Sequence, residues 1–275
     1  MKPNKLLNRS LIVFSLSIIF INLYSQEKVL NNNYQPEVGQ EGKDVVWVPT
    51  PQALVEKMLD LAKITPEDFL IDLGSGDGRT VITAAKRGTR ALGIEYNPDM
   101  VALSRQNAEK EGVTDKAQFT EADLFEFDFS KATVITMFLL PEINMKLCPK
   151  LLDLKPGTRI VSNTFTMQDW HYDDTAKTSD RNTRWNSAYL WIVPEKVEGN
   201  WKLAEGEMTL TQQFQMISGT LKKERKSEDI SGGRLRGNQI TFTVGNDIYT
   251  GTVDGNKIEG MVTSGGNNSK WSATR

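Results

Sequence analysis

Hydrophobic and polar positions along this chain fall into three textures. Near the N-terminus, Lys2, Lys5 and Arg9 precede an apolar run from Leu11 to Phe20, continued by Ile21 and Leu23. Residues 26–43 are polar, with Asn31-Asn32-Asn33, Pro36, Gly39 and Gly42, and read as a linker without a core of its own. From Asp44 the pattern changes to short apolar runs alternating with helical spacing. Leu54, Val55, Met58, Leu61 and Ala62 recur at helical intervals after Pro49-Thr50-Pro51, and Pro66 marks the exit. Residues 69–73 are a short apolar run closed by a glycine-rich turn, the pattern of a buried parallel strand. Further strands are predicted at 91–95, 117–122, 133–138 and 159–162, with helices at 80–87, 98–111 and 143–152. Such alternation predicts an α/β domain over residues 44–194: a Rossmann-like, doubly wound, mostly parallel sheet with helices on both faces. Residues 187–193 read as its antiparallel edge strand.

The third texture begins near Val197. Residues 209–221, 239–244, 248–253 and 257–262 read as short strands, separated by the turn signals Gly237-Asn238, Gly245-Asn246 and Asp254-Gly255. Ile240, Phe242 and Val244 alternate as one face of a sheet should. The expectation is a small antiparallel all-β domain, a meander or barrel over 197–275, vaguely similar to a lipocalin-like module. Its sequence leaves the role open between covering a cleft, binding a partner or ligand, and burying an edge of the first domain.

Composition narrows the chemistry. The net charge is −2, so a global basic field for gripping phosphates is absent, which argues against nucleic acid as the main partner. Lys222-Lys223-Glu224-Arg225-Lys226 reads as a solvated loop among acidic neighbours. One cysteine, Cys148, excludes an internal disulfide, and no cluster has zinc-ligand spacing. The single histidine, His171, sits in the run Trp170-His171-Tyr172-Asp173-Asp174 and reads as an ordinary loop residue.

The basic head and short apolar core over residues 1–25 have the pattern of a secretory signal peptide, with Ser25 offering a small residue before Gln26. The core falls short of the roughly 20 residues a spanning helix needs. The expectation is export to the periplasm or beyond, with no stable membrane span after cleavage; an uncleaved segment would instead anchor the chain at its N-terminus.

Chemistry is expected at the carboxyl ends of parallel strands, where open sheets bind ligands. Three features fall there: the turn Gly74-Ser75-Gly76-Asp77-Gly78, Glu95 at the end of the second strand, and Asp123 after the third. Glycines permit close backbone approach to a ligand. Glu95 suits the two hydroxyls of a ribose, and Asp123 an adenine amino group. The spacing differs from the dinucleotide fingerprint G-x-G-x-x-G, and the flanking Asp72 and Asp77 disfavour a pyrophosphate. Negative charge here suits a ligand carrying an ammonium and a sulfonium. Taken singly, Asp72 and Asp123 could each be turn caps.

At this point the sequence resembles the class I methyltransferases, and among them the small protein lysine methyltransferases of archaea and their mitochondrial relatives. The resemblance rests on Trp47-Val48-Pro49-Thr50-Pro51, Asp72-Leu73-Gly74-Ser75-Gly76-Asp77-Gly78-Arg79, Gly93-Ile94-Glu95, Thr136-Met137-Phe138-Leu139-Leu140-Pro141, and the run from Leu154 to Ser162. It covers residues 44–194. It implies S-adenosylmethionine as cofactor, held by Asp72, Gly74, Ser75, Gly76, Asp77, Gly78, Glu95 and Asp123, with residues 136–141 lining the transfer site. Phe138, Leu139 and Pro141 form an apolar lip where base-nitrogen methyltransferases often carry a polar Asp/Asn-Pro-Pro-aromatic motif. An apolar lip can pack a lysine's methylene stem, so the expected acceptor is protein lysine. A small molecule or lipid acceptor, or a non-catalytic exported binding protein on the same fold, stays open at this point, as does the oligomeric state.

Overall fold

The structure is a computed structural model and describes residues 34–179, 183–224 and 226–275. The predicted signal peptide and the first part of the predicted linker lie outside the described residues. From residue 52 the elements run α1 (Gln52–Ala62), β1 (Phe69–Leu73), α2 (Arg79–Lys86), β2 (Arg90–Glu95), α3 (Pro98–Lys110), β3 (Ala117–Glu121), β4 (Val134–Met137), α4 (Pro141–Leu152), β5 (Arg159–Asn163), β6 (Asp174–Lys177) and β7 (Ser187–Ile192). Their strands form one seven-stranded sheet in the order β3-β2-β1-β4-β5-β7-β6. The first five are parallel; β7 runs antiparallel to both β5 and β6.

Period-two alternation decides what each face buries. On β1, Leu70 faces the cluster built by α1, α2 and α3, where Leu54, Val81 and Val101 pack. Ile71 and Leu73 face the opposite cluster, which gathers Ile143, Leu147 and Leu151 of α4. Each such buried side chain contributes roughly 1.5–3 kcal/mol. The α3 start is fixed locally: the Asn97 side chain accepts from the Asp99 and Met100 amides, and Pro98 occupies the first helical position.

A closed eight-stranded antiparallel barrel follows: β8 (Gly199–Leu203), β9 (Gly206–Gln213), β10 (Met216–Lys223), β11 (Lys226–Arg236), β12 (Gln239–Val244), β13 (Asp247–Asp254), β14 (Lys257–Ser264) and β15 (Asn267–Thr274). Its inward positions are filled by apolar side chains, among them Trp201, Leu235, Phe242, Tyr249 and Ile258. A filled interior makes it a packed core of its own.

Three expectations change. Residues 187–193 do pair antiparallel, but β6 lies outside β7, so β6 is the edge. Its sequence, Asp-Thr-Ala-Lys, is mostly exposed and carries no apolar alternation to announce it. Residues 209–221 are not one strand: they fold back at Phe214 and Gln215 into β9 and β10. Phe214 carries that turn with φ 53, without the usual glycine or asparagine. Of the basic run, Lys222 and Lys223 end β10 and Lys226 starts β11, so they belong to strands and not to a loop.

Candidate active site

The glycine loop leaves β1 and is tied to β2, since the Gly74 and Ser75 amides both donate to the Ile94 carbonyl at 2.9 and 3.0 Å. Gly74, Gly76 and Gly78 all lie at positive φ, 77°, 53° and 84°, a region costly to L side chains. Space demands glycine at two of them as well. A Cβ at Gly76 would sit 2.7 Å from Trp47 Nε1, and one at Gly78 would sit 2.7 Å from the Phe119 ring. The Gly76 amide donates to Glu95 Oε2 and the Asn97 amide to Glu95 Oε1, each at 2.9 Å. Each carboxylate oxygen keeps a free lone pair. Ser75 lines the cleft, yet its hydroxyl is buried without a partner, pressed toward Gly93.

Asp72 lies on the floor, 6% exposed, and accepts from Thr136 Oγ1 at 2.6 Å. Burial, reinforced by the charges of Glu95 and Asp77, pushes its pKa up to about 7, while the Thr136 hydrogen bond pulls the other way. Among the described residues, no basic side chain forms a salt bridge to Asp72 or Glu95.

The other two carboxylates behave differently. Asp77 is paired with Arg79, with Nη2 at 2.5 Å and Nε at 3.0 Å, and Arg79 also donates to the Thr50 carbonyl. Asp77 therefore has a basic partner, whereas Asp72 has none among the described residues and holds its proton up to near neutral pH. Asp123 caps the next turn by accepting from the Phe125 amide at 2.9 Å, and is ion-paired with Lys43. That hydrogen bond from Lys43 holds the Asp123 carboxyl below the usual carboxylate range. The Lys43 ammonium also lies 4.7 Å above the Tyr96 ring.

Between these groups opens a cleft of about 1060 Å³, a figure that includes its open mouth. It lies where the strand order reverses between β1 and β4, the usual ligand position of an open sheet. Residues 40–43, read from sequence as linker, belong to its wall. Paired backbone bonds, Gly39 amide to Trp47 carbonyl and Trp47 amide to Gln40 carbonyl, fold the segment over the loop. Such a clasp satisfies its own polar groups and leaves no apolar periodicity to read.

On the far side, Phe138 stands just beyond β4, half-buried and lining the cleft. Leu139 is buried against Gly74, Leu140 is 43% exposed, and Pro141 opens α4. Phe138 does not act alone. Its ring lies 6.1 Å from Phe165 and 5.3 Å from Trp185, which are themselves 5.8 Å apart. Sequence reasoning missed Phe165 and Trp185, as well as Trp47, Lys43 and Tyr96. Aromatic residues in loops that follow strands were the available signal.

The acidic, unpaired floor and the tight glycine cradle fit an adenosine-bearing cation. S-adenosylmethionine matches this set: Asp72 could meet its ammonium, the loop its backbone, and Glu95 its ribose.

Known proteins agree with this chemistry. Residues 72–174 match the family model of the ANTKMT methyltransferase domain. The chain is 44% identical over 154 residues to a protein-lysine N-methyltransferase of Saccharolobus islandicus (strain REY15A), covering 55% of this chain and 95% of that protein. It is 34% identical over 128 residues to the adenine nucleotide translocase lysine N-methyltransferase of Mus musculus, covering 46% of this chain and just over half, 56%, of that protein. A solved structure described as an RNA methyltransferase from Salinibacter ruber in complex with S-adenosyl-L-homocysteine is 46% identical, with a TM-score of 0.51, over 55% of this chain and 96% of that one. Fold and site thus define an S-adenosylmethionine-dependent class I methyltransferase. Within that class the chain belongs to the protein-lysine N-methyltransferase family.

Proposed function

We propose that this protein methylates the side-chain amine of lysine in a protein acceptor. The observation that carries the reading is one cleft joining an unpaired acidic floor, Asp72 and Glu95, to an apolar lip, Phe138 and Leu139. When bound, S-adenosylmethionine supplies a methyl carbon already activated by its sulfonium; the protein's share is orientation and electrostatics. Asp72 and Glu95 would hold the donor's ammonium and ribose, with Gly74, Ser75 and Gly76 giving close backbone approach; Gly78 packs against Phe119 and Ser104 and lies outside the cleft wall. Asp123 would take the adenine amino group once Lys43 lets go of it. Asp77 would act through Arg79 to brace the loop.

The acceptor amine must arrive neutral, against a free-lysine pKa of about 10.4. Phe138 and Leu139, which line the cleft while Pro141 does not, would remove water from the lysine stem, and desolvation favours the uncharged amine. The names of the archaeal and mouse relatives support lysine as the acceptor.

The description of the Salinibacter structure favours a second reading, an RNA acceptor. A net charge of −2 and the apolar lip weigh against it. The basic head and apolar core of residues 1–25 further support action outside the cytoplasm, which fractionation of the producing cells would test.

The function is tested with methyl-tritiated donor and three separate acceptor pools: envelope protein, lipid and RNA. Label in protein supports the reading. Label confined to lipid or RNA, with donor bound, overturns it.

A further inference from the structure

Where the barrel meets the methyltransferase domain, one barrel side chain is inserted into that domain's core. Phe214, at the tip of the β9–β10 hairpin, packs into the second apolar cluster of the methyltransferase domain and not into the barrel's own core. Its ring stacks on Trp170, with centroids 5.9 Å apart and planes 6° from parallel. Trp170 is fully buried, and its carbonyl accepts from Trp191 Nε1 at 2.7 Å. Two more barrel residues hold the same stretch of chain. Gln215 Nε2 donates to the His171 carbonyl at 2.6 Å, and Arg234 Nη2 pairs at 2.7 Å with Asp173, whose side chain is fully buried.

Trp170, His171 and Asp173 end the loop that leaves β5. That loop begins with Thr164, at the strained φ of 61°, and Phe165. A bridge between Met167 and Trp170 makes it a compact unit. At its near end the Thr164 amide donates to the Ser187 carbonyl of β7 at 2.8 Å, and beyond that Asn144 of α4 adds only long bonds to the Phe165 and Thr166 carbonyls, 3.4 and 3.3 Å, at the outer limit of a hydrogen bond. Phe165 in turn packs on Phe138 and Trp185 at the cleft. A loop gripped firmly by the barrel at one end thus carries an acceptor-side ring at the other.

We propose that Phe214 is a positioning residue for the acceptor site: by seating Trp170, the barrel sets the post-β5 loop and so the Phe165 and Trp185 rings beside Phe138. This rests on the reading of that aromatic wall as the acceptor side. The Saccharolobus relative is covered over 95% of its length by 55% of this chain, so it has no counterpart to the barrel. Loop support by the barrel is therefore a property of this chain and not of the shared domain.

The experiment uses the full chain, Phe214→Ala and Phe214→Tyr, with Arg234→Gln as a second, milder way to loosen the same loop should Phe214→Ala fail to fold. Amide hydrogen exchange at Thr164, Phe165 and Trp170 reads the loop without reference to catalysis. Kinetics with poly-L-lysine as acceptor, and calorimetry with S-adenosylmethionine, read the site. Phe214→Ala should exchange at least tenfold faster across 164–170, raise the acceptor KM about fivefold, and leave the donor Kd within twofold; Phe214→Tyr should restore both. Unchanged exchange across the loop overturns the proposal. So does a donor Kd that weakens in step with the acceptor KM, since that marks general destabilisation. If the unmodified protein does not methylate poly-L-lysine or any protein pool, the acceptor reading fails, while the exchange data still decide whether the barrel sets the loop.

Discussion

Glu95 Oε2 accepts the Gly76 amide at 2.9 Å, which joins the end of β2 to the tip of the glycine loop. The carboxylate that would grip a ribose is thus also the brace of the loop that would flank it. Glu95→Ala removes both functions, and a hydrogen bond to a charged group is worth about 1.5–3 kcal/mol. Calorimetry should show donor affinity falling at least tenfold, with Glu95→Gln intermediate. Unchanged affinity in the alanine variant would place the donor elsewhere.

Asp72 makes donor binding pH-dependent. Its pKa of about 7 in the free protein means that below pH 7 it is mostly protonated. A cationic ligand favours the ionised form, so binding releases a proton and affinity rises with pH, by up to about tenfold per unit below 7 and flattening above. Titrations at pH 6 in two buffers of different ionisation enthalpy should register that proton, and Asp72→Asn should abolish it. The sign for stability is opposite. An Asp raised from 3.8 stabilises the ligand-free fold at low pH and loses that contribution as pH rises through about 7. Asp72→Asn should therefore raise the ligand-free Tm at pH 8 more than at pH 5.

Gly76→Ala separates strain from contact when set beside Gly112→Ala. Both glycines have positive φ, 53° and 67°, but only Gly76 has a neighbour, Trp47 Nε1, in the space of a Cβ. Gly112→Ala should cost about 1–2 kcal/mol of stability from backbone strain alone. Gly76→Ala should cost more by denaturant unfolding and also weaken donor binding, because Trp47 must move.

Lys43 competes for Asp123. The pair is open to solvent, so water and salt weaken it. Lys43→Gln should strengthen donor binding by up to about fivefold and reduce its salt dependence. A weakened affinity would mean that Lys43 itself holds the donor.

How much of this was legible in the sequence follows from how local each signal is. The β1 strand, the glycine loop and Glu95 are short, contiguous patterns, and they fall together in space because consecutive parallel strands end on one side of the sheet. The partners of Phe138 were illegible: Phe165 and Trp185 come from two later loops and meet it only through the order β4-β5-β7. The β9–β10 hairpin was hidden because Phe214, and not glycine, takes the left-handed turn. Strand β11 was hidden by Gly232-Gly233, which reads as a turn but sits inside an 11-residue strand at a register shift. Sequence shows both Asp77 and Arg79 but not that the two side chains pair.

The most direct measurement of the central claim is the chemical identity of the methylated product. The full chain is incubated with methyl-tritiated S-adenosylmethionine and protein from the producing cells, and the protein is then hydrolysed to amino acids. The account predicts label migrating as methylated lysine, lost in Glu95→Ala. Label in any other amino acid, or in co-purified RNA or lipid instead of protein, would contradict it.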